Sequence, residues 1–134
     1  MTRFIRNAAM GVAAAMGLLI PAQSPATGEL PALAQLQRGR WMLRALDGDT
    51  PPRAICLGDA RVLLRLEHAG PGCKQSVVSS DSRSATVHYA CDGRGFSQTT
   101  LKVETPRSAR IDTQGYVKSH PFSYRIEATR TGPC

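Results

Sequence analysis

The sequence predicts a mainly β domain: an antiparallel meander that curls into a curved sheet or small open barrel, with one short helix and two disulfides. Three observations predict it. Nearly everything after Cys73 alternates apolar and polar residues with a period of two. Short clusters of Gly, Pro, Asp and Ser punctuate the chain at strand-length intervals. All four cysteines, Cys56, Cys73, Cys91 and Cys134, follow an N-terminal segment with the pattern of an export signal.

That segment reads "MTRFIRNAAMGVAAAMGLLIPAQSPA". Arg3 and Arg6 form a basic start, an apolar run of 13 residues spans Ala8 to Ile20, and Pro21 breaks it. The run is short of the ~20 residues that a bilayer span needs. Ser24-Pro25-Ala26 supplies small residues for cleavage after Ala26, and Ala32-Leu33-Ala34 offers a second choice after Ala34. Neither a nearby cysteine nor an arginine pair is present, so the expected route is general secretion to the periplasm, with no membrane span after cleavage. About 108 residues then remain, enough for one domain. The organisation expected is a signal peptide over 1–26, a flexible lead-in over 27–38 and a single disulfide-stapled β domain over 39–134.

The lead-in, "TGELPALAQLQR", has no strong period and carries Pro31. Strand one is "GRWMLRALD", where Trp41, Leu43 and Ala45 alternate with Arg40, Arg44 and Asp47. After the turn "GDTPP" comes a short strand, "RAICL". In "GDARVLLRLEHAG" the rhythm changes. Asp59 can cap exposed N–H groups, Val62, Leu63 and Leu66 share a helical face, and Gly70-Pro71 ends the segment. This predicts a short helix near 59–69.

Cys73 to Cys91 reads as a hairpin with its loop at Asp81-Ser82-Arg83. Ser79 then faces Ala85, Val77 faces Val87, Gln75 faces Tyr89 and Cys73 faces Cys91. Opposed positions lie close enough for a disulfide in a narrow pair. Of the three possible pairings, this register favours Cys73–Cys91 with Cys56–Cys134. The alternative is a Cys134 that stays free or bridges two chains. The remaining strands set Thr99, Leu101 and Val103, then Ala109 and Ile111, then Phe122, Tyr124, Ile126 and Ala128 on the inner face. Arg130 falls on that same parity. It either packs on Trp41, which would bring the chain ends together, or emerges at the rim.

The net charge of +7 falls to +5 once Arg3 and Arg6 leave, and Arg supplies 14 of the 17 basic residues. Such a surface suits an anionic envelope component or a periplasmic protein partner. The cations are scattered, with no basic run interleaved with aromatics, so no nucleic-acid partner is expected. No C-x-x-C knuckle or histidine pair indicates a metal. No G-x-S-x-G elbow, phosphate loop or carboxylate pair is present. Among the histidines, His68 falls at the predicted helix C-terminus, His88 on a solvated strand face and His120 in a turn. Asp47, Asp49, Asp81 and Asp92 read as turn or loop residues, and Gly93 and Gly95 as turn glycines. No catalytic residue and no cofactor are expected.

Gly39-x-Trp41, Cys56-Leu57 before the short helix, Cys73, Cys91 and the closing Arg130-x-Gly132-x-Cys134 together resemble a proteobacterial family of small exported four-cysteine proteins, known as a domain of unknown function. The resemblance covers residues 39–134, and its closing motif is the most specific part. It implies periplasmic export and a disulfide-stapled β fold, and it brings no catalytic residues. A glutamate expected soon after the tryptophan is replaced by Met42 and Leu43, which weakens any site at the first strand. G-x-W with an inward C-terminal arginine is also similar to lipocalin-like barrels, an analogy of fold alone.

The expected function is therefore a non-enzymatic periplasmic domain that binds or scaffolds. One alternative is a lipocalin-like carrier of a small apolar ligand, held beneath Trp41, Tyr89, Phe122 and Tyr124 with Arg130 beside them. These side chains would otherwise simply fill the core, as in small packed barrels. The other alternative is an inhibitor or partner of a cell-envelope enzyme.

Overall fold

A computed structural model describes residues 30–134. The expected signal peptide, its cleavage after Ala26 and residues 27–29 lie outside the described residues. Strands β1 (Gly39–Ala45), β2 (Arg53–Leu57), β3 (Cys73–Ser80), β4 (Ser84–Cys91), β5 (Gly95–Thr105), β6 (Ser108–Val117) and β7 (His120–Gly132) form one open antiparallel sheet. The order is β2-β1-β7-β6-β5-β4-β3. β3 to β7 are the expected meander. β1 departs from it by lying against β7, with Trp41 opposite Arg130 and Leu43 opposite Ala128. First and last strands thus meet, and the outer strands β2 and β3 are the two edges.

Both disulfides follow the pairing that the register favours. Cys73 and Cys91 are direct cross-strand partners with Cα atoms 4.1 Å apart. Cys56 on β2 reaches the chain end at Cys134, with Cα atoms 5.8 Å apart. The hairpin register holds from Cys73↔Cys91 to Val77↔Val87 and then slips by one, to Ser79↔Thr86. The cause lies in the turn. Asp81 Oδ1 accepts from Arg83 N and Ser84 N, both at 2.8 Å, and Asp81 N donates to Ser84 O. That tightens the loop to Ser82-Arg83, and a bulge at Val78 absorbs the extra residue.

Alternation sends Trp41, Leu43, Ala85, Val87, Leu101, Val103, Ala109, Ile111 and Ala128 to the buried face. That face is covered by two short segments. One is α1 (Pro31–Ala34), and its residues correct the expected flexible lead-in from Leu30 onward. Leu30, Ala32, Leu33 and Leu36 are buried in the core cluster. Pro31 starts the turn rather than breaking a pattern, as its fixed φ permits at a first helical position. Gln37 N donates to Pro106 O, and Trp41 Nε1 donates to Gln37 O at 2.9 Å. A single turn is too short to show a helical period, so composition alone misses it.

The second cover is a 3-10 helix, Ala60–Leu64, where the sequence predicts a helix near 59–69. Asp59 caps as expected, accepting from Arg61 N at 2.9 Å. The bonds run three residues apart, from Val62 N to Asp59 O and from Arg65 N to Val62 O. Leu63 and Leu64 are fully buried, whereas Val62 is exposed. Burying two consecutive leucines overrides the wider stripe of an α-helix, and the segment shortens to follow the sheet.

Candidate functional site

The inner face is only shallowly open at the end where β1, β2 and β7 meet the segment after the 3-10 helix, with Leu43 and Ile126 themselves 3% and 7% exposed beneath it. Leu43 and Ala45 of β1 and Ile126 of β7 form an apolar floor there. Arg53 opens β2 directly opposite Leu43, so its side chain shares this face. The β1–β2 connection brings Asp47, Thr50 and Pro51, and Glu67 arrives from the far side. Together with Tyr124 these residues line an open cleft of about 340 Å³.

Tyr124 sets the chemistry of the cleft. Its Oη donates to Glu67 Oε1 at 2.5 Å. Burial raises the phenol well above its ordinary pKa, and the bond to Glu67 and that carboxylate's charge add to the shift, while Arg53 opposes it. The hydroxyl therefore stays protonated and donating at any physiological pH. At the rim Asp47 is held in a fork by Arg125, with Nε–Oδ2 3.1 Å and Nη2–Oδ1 2.9 Å. The Arg125 hydrogen bond is the main cause that keeps the Asp47 carboxyl below the usual carboxylate range.

Of the five residues expected to line a ligand cavity, the structure brings two together. Phe122 and Tyr124 have ring centroids 5.8 Å apart, and His68 continues the row 6.2 Å from Phe122. Trp41 is fully buried in the core. Tyr89 lies on β4, where its Oη faces Arg65 Nη1 at 3.5 Å. Arg130 is the cross-strand neighbour of Trp41, but its Nε donates to Arg38 O at 2.7 Å. The guanidinium lies over Gly39, where an added Cβ would stand 2.6 Å from Nε. With φ at +142°, Gly39 also holds a backbone conformation that suits glycine.

His68 is not a helix-terminal residue, as the sequence predicts, because the helix ends four residues earlier. It is only 2% exposed, and its Nε2 lies 3.1 Å from Tyr116 O, a contact that requires the proton on Nε2. Gly95, at φ +105°, makes room: a Cβ there would collide with the Tyr116 carbonyl and lie 3.5 Å from Nε2.

Sequence reasoning missed Arg53 and Glu67, and it read Asp47 as a turn former. Arg53 opens the apolar run "RAICL", Glu67 sits between Leu66 and His68, and Asp47 opens a turn, so nothing local links them and only the fold places them around one tyrosine. Among the described residues no His, Cys, Asp and Glu group is arranged to hold a metal ion. Comparison with protein-family models, curated proteins and solved structures finds no match.

Proposed function

We propose that the chain is a non-catalytic exported binding domain of the bacterial envelope that takes a small amphipathic molecule in the Tyr124 cleft. One observation carries this reading: an apolar floor of Leu43, Ala45 and Ile126 lies under a rim of Tyr124, Arg53 and Glu67. Ligand sites are typically concave, largely apolar and fixed by a few convergent polar groups. Arg53 would meet an anionic or carbonyl group of the ligand, and the Tyr124–Glu67 pair would orient a hydroxyl. Export is supported by the two disulfides, which persist in oxidising compartments, and by the resemblance carried by Gly39-x-Trp41 and Arg130-x-Gly132-x-Cys134. Among the described residues no helix is long and apolar enough to cross a membrane.

The buried Trp41 argues against a deep lipocalin-like cavity and for this shallower site. Native mass spectrometry of protein recovered from the periplasm tests the reading. A retained small molecule, lost in Arg53→Ala with Tyr124→Phe, is the expected result; protein that carries none, and that shifts with no envelope extract, refutes it. A second reading, a partner of an envelope enzyme, is favoured by the open β3 edge, where Val77 and Val78 are 37% and 59% exposed. Pull-down from periplasmic extract with Val78→Lys as the control tests that one.

A further inference from the structure

The face of the sheet turned away from the core carries a feature that the cleft does not use. Register places Lys74, Ala90, Phe96 and Tyr116 in one row across β3 to β6, and Ser76, His88, Gln98 and Gln114 in the next. Phe96 and Tyr116 are 39% and 44% exposed. The His88 and Phe96 rings stack with centroids 5.4 Å apart and planes 28° apart. Phe96 and Tyr116 follow at 5.5 Å and 47°. Three rings thus form a strip across three neighbouring strands, with planar amides alongside. Exposed rings gathered in one patch and rimmed by polar side chains are the kind of surface that contact sites use.

The chemistry of the strip selects its occupant. The electron-rich ring faces attract the weakly positive C–H faces of a pyranose. Gln98 and Gln114 each offer a donor and an acceptor in one plane, the geometry that neighbouring sugar hydroxyls or an acetamido group require. Ring spacings of 5.4 and 5.5 Å are close to one sugar unit of an extended β-1,4 chain. A nucleic acid would also stack on such rings but would need free cations along its phosphates. Of the cations further along this face, Arg110 pairs with Glu104 and Arg125 with Asp47, while Lys102 and Arg44 share the Arg110 row, away from the rings. Lys74 alone heads the aromatic row.

We infer that this face binds an extended β-1,4-linked glycan strand laid across β4, β5 and β6. Sugar rings rest on His88, Phe96 and Tyr116, and their polar substituents bond to Gln98 and Gln114. The strand is that of peptidoglycan, a choice that rests on the export reading above; its carboxylates suit Lys74 and the basic chain.

The test is titration of the purified protein by calorimetry and amide NMR. The probes are soluble β-1,4 N-acetylglucosamine oligomers, peptide-free peptidoglycan glycan strands and single-stranded polyuridine. Saturable binding of both glycans is expected, with shifts confined to β4–β6. Phe96→Ala with Tyr116→Ala should weaken it roughly tenfold or more. Both rings are exposed, so the melting temperature should hold. Gln98→Leu, which keeps every ring, should weaken binding as well and covers the case of a misfolded ring variant. Absence of glycan binding, glycan binding that the ring and amide variants leave intact, or tighter binding of polyuridine each overturns the inference. Purified protein is used, so failure here is distinct from failure of the cleft or of export.

Discussion

Breaking the Cys56–Cys134 clasp should cost more stability than breaking the hairpin disulfide, by an amount set by loop length. The clasp joins residues 78 apart in sequence and the hairpin bond joins residues 18 apart. In the chain-entropy treatment these loops constrain the unfolded chain by about 4.5 and about 3.2 kcal/mol, a difference of about 1.3 kcal/mol. The clasp also fastens β2, an edge strand that pairs only with β1, so its loss should free that edge first. The assay is urea unfolding of Cys56→Ser/Cys134→Ser beside Cys73→Ser/Cys91→Ser, each compared with the intact protein. The expected order is intact, then hairpin variant, then clasp variant, with the last two separated by roughly 1 kcal/mol. Equal losses, a reversed order or an intact protein indifferent to reductant would refute the reasoning.

Other perturbations probe α1, the cleft and the rim. Leu33→Ala removes a buried side chain of α1 and should destabilise by about 2–5 kcal/mol, measured by the same unfolding experiment; an effect near zero would mean that the segment does not pack. In an ultraviolet pH titration, Tyr124 should ionise well above the ordinary 10.0, and Tyr124→Phe should remove that late phase. Because the folded pKa of Tyr124 lies above the ordinary 10.0, its share of stability is complete below that pH and falls away as pH rises beyond it. Asp47 has the opposite sign. Its folded pKa is held below 3.8, so its contribution is present above that pH and lost on acidification below it. Asp47→Asn should therefore flatten the acid limb of melting temperature against pH and leave the alkaline limb unchanged.

The strands were legible because one buried face imposes a strict period. Thr99, Leu101 and Val103 on β5 and Ala109 and Ile111 on β6 all face inward, as their alternation requires. The disulfides were legible for the same reason, since the register that sets Val77 opposite Val87 also sets Cys73 opposite Cys91. The covering segments were not. α1 (Pro31–Ala34) is a single turn, too short for a periodic signal, and the burial of Leu30 to Leu36 depends on the 3-10 helix and on β4 and β5, far along the chain. His68 departs from the expected helix end because the 3-10 helix stops at Leu64, and the imidazole instead meets the Tyr116 carbonyl, 48 residues later. The outer aromatic strip stayed hidden for a different reason. His88, Phe96 and Tyr116 each look like an isolated surface residue, and only pairing across β4, β5 and β6 sets them side by side.

A domain closed at both ends, by α1 at its start and by Cys134 at its finish, makes one measurement decisive. It is the intact mass, without reductant, of the full-length chain expressed in a bacterial host and recovered from the periplasm, which also tests the proposed export. A mass beginning at Thr27, less the hydrogens lost in forming two disulfides, is the expected value. Cleavage after Ala34 would strip Leu30, Ala32 and Leu33 from the core. A folded product of that shorter mass, or one that retains free thiols, would contradict the closure on which the fold depends.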